Sequence, residues 1–491
     1  AHWHRQPDGK LKQGTLQKWR HNCSAKYNIF TPHDLHACPR ILIVCRNPHS
    51  HPPPAPVKTP PGLVNVVHGL LALMKWKLAD ATPRQIFLDT TFVEGLHHAL
   101  AWDLTSCGRD AILQDLHPSL ANLDHVQRLI TTLQNKKYPS GTGFEGACLL
   151  ANEHASLPPE QCYVHCAEVH PIEHGKELKL VICMTTKMSQ HLLQAKHLSI
   201  DTSFKHAQGW QEFEIESWDV DHICLYCGNT YSSHYLAVVG ARAFTMSQTA
   251  KAHVILFQHI FEIASADTGL PIMFHHIHGT GFETVIADSH KGQGLSLGMY
   301  CVQLCCSVTA QCIYEPHHHI CDLNPYDHLR CFFHTCVAHY KRNILSLCTH
   351  VSQDIFSAML SLATSEHHPD LNATLNIIWN GGLKASAWLR DKLDGMKFAL
   401  PAIYQPSSLI PLHLWRASPA TTNRNEQAHC NAYREGVHLT LLTGLMKGMR
   451  FDQGAMMSIN KHTSFGIATH DHEATHIHRA MRCVSRQSLC Y

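Results

Sequence analysis

The sequence predicts an α/β fold with a helical insertion, on three observations. Strand-like runs cluster after Glu177: ELKLVICMTT, HLSIDTSF, QEFEIESWDV and YLAVVGARAF. A helical stretch, SQTAKAHVILFQHIFEIASADTG (247–269), and a short strand, TVIAD (284–288), follow them. Residues from about Cys336 to Leu400 then return to a mainly helical pattern. Strands, helix, strand and helices in that order describe an α/β core interrupted by α-helices.

The bulk properties allow such a core. A chain of 491 residues is too long for one compact core, and about two to four domains are expected. Hydrophobic residues make up 44% and charged residues 16%, which suits a folded chain and not a disordered one. The 44 histidines are scattered, so most belong to surface or core packing and not to ligand sets. The 21 cysteines are an odd number and no signal-peptide pattern opens the chain, which predicts reduced thiols and an intracellular compartment.

Taken from the start, residues 1–60 form a basic head. Arg5, Lys10, Lys12, Lys18, Arg20, Lys26, Arg40, Arg46 and Lys58 face only Asp8 and Asp34. Formal net charge is +2 for the whole chain, so the remainder is net acidic. A basic head on a slightly acidic body points to contact with a polyanion. Trp3 and Trp19 lie near these basic residues, although core packing is the default use of such rings. The head also holds Cys23, Cys38, His49 and His51 in a Cys-x14-Cys-x10-His-x-His spacing. These are four N/S ligands, the number tetrahedral zinc takes, with Cys45 as an alternative to Cys38. A thiol-rich module with surface histidines is the competing reading. A head of about 60 residues has little core, and bound metal would add folding energy.

HPPPAPVKTPPG (51–62) is a stiff, extended linker. From Leu63 to about Pro171 the pattern is mostly helical, with breaks at YPSGTG (138–143) and SLPPE (156–160). The strands follow. In HLSIDTSF, Leu198, Ile200 and Thr202 face one way, while Ser199, Asp201 and Ser203 face the other. Asp201 is therefore either a residue on the wet side of a half-buried strand or a carboxylate held rigidly for chemistry. In QEFEIESWDV, Glu212, Glu214 and Glu216 alternate with Phe213 and Ile215, which predicts a half-exposed strand. Ser247 is the expected N-cap of the next helix and Gly269 its stop. Gln293–Tyr314 carries no charged residue, but its Gly, Ser, Thr and Gln predict a buried helix followed by a strand and not a membrane span. His276 and His278 sit in HHIHGTG, a loop that either approaches the acids or, by default, is an ordinary turn.

Three acids stand out. Asp201 lies within a strand, Asp288 ends one, and Glu426 follows Asn423 by three residues in SPATTNRNEQAHC. Asp288 has a turn or N-cap role as its competing reading, and Glu426 has a capping box. Three carboxylates converging at one sheet edge would hold two divalent cations such as Mg²⁺, which prefers oxygen ligands. CFFHTCVAHYKRN (331–343) places Cys336 and His339 three apart, as neighbours on a helix face. Cys331 and His334 repeat the spacing, and a packed helix is the plain reading.

At these residues the sequence resembles the Mutator-like DDE transposases. The first family Asp is written here as LSIDTSFK and the second as IADSHKGQGL. A Cys-x-x-His followed by Asn appears as CVAHYKRN, which selects Cys336 and His339. The last acid follows a Thr-Asn pair in TTNRNEQAH, which selects Glu426. WQEFEIE, HHIHGTGFE and REGVHLTLLTGLMKGMRFD are further family-like segments, and the likeness covers most of residues 15–452. The head resembles WRKY-like zinc modules.

The resemblance implies an RNase H-like core with Asp201 on its first strand, Asp288 after its fourth and Glu426 on a late helix. It implies Mg²⁺ (or Mn²⁺) at Asp201, Asp288 and Glu426, and Zn²⁺ in the head. It further implies cleavage of transposon ends and joining of a freed 3′-hydroxyl to target DNA. Lys18, Arg20, Lys26, Arg40 and Arg46 would contact double-stranded DNA, and a homodimer in the nucleus is expected. The implied domains are a head (1–60), a helical domain (61–176), the first part of the core (177–345), a helical insertion (346–417), the end of the core (418–452) and a tail (453–491). The rival expectations are a transposase-derived DNA-binding protein without catalysis and a Cys/His-rich scaffold.

Overall fold

The computed structural model describes residues 3–5, 11–13, 23–34, 36–50, 58–102, 111–172, 175–218, 237–306, 308–422, 433 and 436–465. Lys18, Trp19, Arg20, His51, Asn423 and Glu426 lie outside the described residues. The chain divides into two units, Ala1–Met74 with Thr82–Thr131 and Lys75–Ala81 with Thr132–Tyr491.

In the first unit two antiparallel hairpins precede helices. β1 (Trp3–Arg5) pairs with β2 (Leu11–Gln13), and β3 (Lys26–Phe30) with β4 (Leu42–Arg46). The helix Pro61–Ala72 starts with proline in its first turn, where a missing N–H costs nothing. Asp89 caps Thr90–Leu100 by accepting from the Phe92 N–H at 3.1 Å.

The second unit is built on a mixed sheet. Its strands are β5 (Val164–Pro171), β6 (Glu177–Cys183), β7 (His197–Ser203), β8 (Gln211–Trp218), β9 (Ala237–Thr245), β10 (Thr284–Ala287) and β11 (Phe333–Thr335). Their spatial order is β11-β10-β7-β8-β9-β6-β5. β11, β10 and β7 run parallel, and from β7 outward to β5 each neighbour is antiparallel. The architecture is therefore α/β. Helices Gln353–Ser361, Leu371–Trp379 and Leu383–Arg390 follow β11 and share a small core of their own around Ile344, Met359, Ile378 and Leu389.

The structure departs from sequence expectation in five places. β5 falls in a segment expected to be helical, because VHCAEVHP has no clean apolar alternation and sits at a sheet edge with one bonded side. CFFHTCVAHYKRN is not one helix: Pro325–Phe332 ends there, β11 follows, and Val337–Leu345 begins with Cys336 at its N-cap. A three-residue strand is too short to show a period. Gln293–Tyr314 supplies the expected buried helix, Lys291–Cys305, but no strand after it among the described residues; Gln311 makes only an isolated bridge to His319. Thr249, not Ser247, caps Ala250–Thr268, accepting from the Ala252 N–H at 3.3 Å. Gly269 ends that helix as expected, at φ 71°, where a side chain would be strained.

The fifth departure decides the character of the site. Glu212, Glu214 and Glu216 are all about 1% exposed, so β8 is buried on both faces. Its apolar face packs on Ala250–Thr268, where the Phe213 and Phe257 rings meet edge to face. Its carboxylate face is closed by the helix Leu441–Phe465, whose Asp452 reaches Arg242 on β9. That helix runs through the expected boundary at residue 452. No helix among the described residues is long and apolar enough to cross a membrane.

Candidate metal centre

The parallel registers bring the candidate residues into one row. Ala287 on β10 pairs with Thr335 on β11 and with Ile200 on β7. One step further along each strand stand Cys336, Asp288 and Asp201. The row continues through antiparallel pairs, from Asp201 to Glu214 and from Glu214 to Arg242. Adjacent strands lie about 4.8 Å apart, so two of the three predicted acids are neighbours at the carboxyl end of the parallel strands.

Each is held firmly. Asp201 is buried, and its Oδ1 accepts from the Thr202 N–H at 2.8 Å. Thr202 in turn accepts from Gln293 Nε2 at 2.6 Å. Asp288 is half-buried just before the helix Lys291–Cys305, which His290 caps through the Gln293 N–H at 3.4 Å. Gly292 in the SHKGQG loop is small for a reason: a Cβ there would collide with the Gln248 carbonyl oxygen.

Cys336 and His339 meet Asp288. The Cys336 N–H donates to Ala287 O at 2.9 Å, extending the ladder by one residue. His339 Nδ1 forms an ion pair with Asp288 Oδ1. Asp288, Cys336 and His339 each offer a ligand atom within 4.8 Å of the others, so this group has the size of a metal site. The Asp288 carboxylate, then Cys336, push the His339 pKa up to about 10 against the effect of burial. Burial pushes the Cys336 thiol up, but hydrogen bonds from His339 and Thr422 outweigh it and the net shift is downward.

Thr422, which sequence reasoning missed, fastens the next segment here. Its N–H and Oγ1 donate to Cys336 Sγ at 3.2 and 3.3 Å, and its Oγ1 lies 3.3 Å from His339 Nδ1. The Val337 N–H donates to Ala420 O at 3.0 Å. The chain thus enters the site four residues before Glu426. The signal was present as the Thr of TTNRNE, which drew notice only for the acid after it. Thr422→Val is expected to lower stability by about 1–2 kcal/mol through the lost hydroxyl contacts, measurable by urea unfolding.

The competing pair packs elsewhere. Cys331 Sγ donates to Asp327 O at 3.5 Å, and the His334 ring lies 4.0 Å from that of Trp415. His276 is buried in the short helix His275–His278, with Nε2 3.0 Å from His328 Nδ1, so the HHIHGTG segment pairs with another helix and not with the acids.

In the first unit Cys23 Sγ lies 3.4 Å from His49 Nδ1, and His49 Nε2 also takes the Tyr27 hydroxyl. Backbone N–H groups of Ser50 and Ala25 pull the Cys23 thiol down to about 6. Among the described residues neither Cys38 nor Cys45 joins them as a third ligand. Cys38 sits in an exposed turn held by Asp34, and Cys45 is exposed opposite Tyr27. Lys26 and Arg46 pair directly across the hairpin, and both are exposed, as is Arg40.

Comparison with protein-family models, curated proteins and solved structures finds no match to this chain.

Proposed function

We propose that this chain is a DDE-type DNA transposase that cleaves transposon ends and joins the freed 3′-hydroxyl to target DNA. The observation that carries the reading is the register that puts Asp201 and Asp288 each one residue past the last parallel pair, Ile200 with Ala287. Counting from β7, Asp201 is on the first strand and Asp288 directly follows the fourth, as in the RNase H-like core of the family the sequence resembles. The helices between His339 and Thr422 match the family's insertion before its last acid.

The donors suit the expected cofactor. Two aspartates offer hard oxygen ligands of the kind Mg²⁺ takes, and Asp201, Asp288 and Glu426 would hold it. When bound, paired ions of this type stabilise the attacking and leaving oxygens of an in-line displacement at phosphorus. The protein supplies position: β7 lies between two bonded neighbours, so the Asp201 carboxylate is fixed before substrate arrives. The His339 imidazolium balances the Asp288 charge. Lys26, Arg40 and Arg46, with Lys18 and Arg20, would neutralise DNA phosphates and make binding salt-dependent. Of the expected zinc ligands in the head, only Cys23 and His49 are drawn together, so a zinc there would rest on these two and on ligands that the described residues do not supply. A homodimer acting in the nucleus fits this reading.

One observation favours a second reading, a transposase-derived DNA-binding protein without catalysis: His339 already pairs with Asp288. The test is Mg²⁺- or Mn²⁺-dependent cleavage of a duplex carrying the element's terminal inverted repeat. Asp201→Ala is expected to reduce cleavage to background. Unchanged cleavage in that variant removes the assigned site, and salt-sensitive DNA binding with no metal-dependent nicking supports the second reading.

A further inference from the structure

A second group of ligand atoms converges far along the sheet from this row. Glu168 and His170 are two apart on the edge strand β5 and so share a face. His259 comes from the helix Ala250–Thr268. Glu168 Oε2 is 3.1 Å from His170 Nε2 and 3.2 Å from His259 Nε2, and the two Nε2 atoms are 3.2 Å apart. The three atoms form a nearly equilateral triangle.

Hydrogen bonding alone fits this triangle poorly. Its corners subtend about 60°, whereas an N–H prefers to point within ~30° of its acceptor. One ring proton therefore cannot serve both other corners, and if each imidazole instead donates its Nε2–H to Glu168 Oε2, the two Nε2 atoms are left 3.2 Å apart with no hydrogen bond between them. A single ion above the triangle serves all three. Nitrogen and oxygen ligands ~2.0–2.2 Å from a tetrahedral ion lie roughly 3.3–3.5 Å from one another, close to the spacing here.

Glu168 is 48% exposed, so a fourth position opens to solvent.

We propose that Glu168, His170 and His259 form a zinc-type divalent metal site, with water as fourth ligand, that clasps edge strand β5 to the helix Ala250–Thr268. The donor set is borderline-soft nitrogen with one carboxylate, which suits Zn²⁺ or Co²⁺ over Mg²⁺. It holds no thiolate, which separates it from the head and from Cys336.

The test uses the full-length chain, stripped with chelator and titrated with Co²⁺ and Zn²⁺. A tetrahedral cobalt species with visible d–d bands and no thiolate-to-metal band is expected, with one equivalent of metal lost in both His170→Ala and His259→Ala. Cys23→Ala should leave this species unchanged. Unaltered far-UV circular dichroism in the variants assigns the loss to ligation; should His259→Ala misfold, Glu168→Gln, at a more exposed position, is read in its place. No thiolate-free cobalt species in the wild type, or its persistence in the ligand variants, overturns the proposal.

Discussion

Arg242→Met is expected to destabilise the second unit by roughly 3–5 kcal/mol, the usual cost of removing one partner from a buried ion network. Arg242 is fully buried on β9. Its Nη2 and Nε donate to Asp452 Oδ1 and Oδ2 at 2.9 and 3.1 Å, and its Nη1 is paired with Glu212 and Glu214. Tyr163 donates to Asp452 Oδ2 at 2.6 Å, and His206 Nδ1 lies 2.9 Å from Glu212 Oε2. Burial acts to lower the Arg242 pKa, yet Asp452, Glu214 and Glu212 together carry it well above its ordinary value. Without the guanidinium, three carboxylates remain buried with little to balance them. Denaturant unfolding measures the loss. Adding Glu212→Gln, Glu214→Gln and Asp452→Asn to Arg242→Met is expected to recover part of it. A near-zero effect of the single change would show that the carboxylates neutralise by taking up protons. The network shares a row with Asp201 through Glu214, so under the proposed function the same change is expected to depress cleavage as well.

Acid is expected to unfold the second unit cooperatively between about pH 6 and pH 4. Burial pushes His253 and His328 each down to about 4, with neighbouring groups contributing less. Burial, with His328 beside it, also pushes His276 well down. Unfolding returns each to an ordinary pKa near 6.5. Between the two values the unfolded chain binds the extra proton, so stability falls as pH falls through that window and is fully present above it. At about 1.4 kcal/mol per unit, His253 and His328 each remove roughly 3 kcal/mol. Their sum approaches the 5–15 kcal/mol typical of a whole domain. Circular dichroism against pH measures the transition. His253→Phe is expected to move its midpoint downward, since it removes the titrating group and keeps a ring edge to face with Phe213, at the cost of the hydrogen bond to Thr249 O. A midpoint unmoved by that change would assign acid unfolding to other groups.

The local pattern carried much of the core. Four strand-like runs became β6, β7, β8 and β9, and Gly269 ended its helix, because alternation and chain-stop chemistry act within a few residues. Alternation also separated Asp201 from Leu198 and Ile200. It left open whether the polar side was wet. Glu212, Glu214 and Glu216 have the spacing of a solvated face and are buried, with Arg242 of the neighbouring strand β9 balancing Glu212 and Glu214.

By itself the sequence determined the α/β class, the strand that carries Asp201, and the candidacy of Asp288, Cys336 and His339. Tertiary structure alone decided that Asp288 stands between Asp201 and Cys336, that Thr422 closes on the Cys-His pair, and that Glu168, His170 and His259 converge. The physical reason is range. A residue's neighbours along the chain set its dihedrals and the face it presents, whereas the register between parallel strands is set by packing across long crossovers and leaves no local periodic trace.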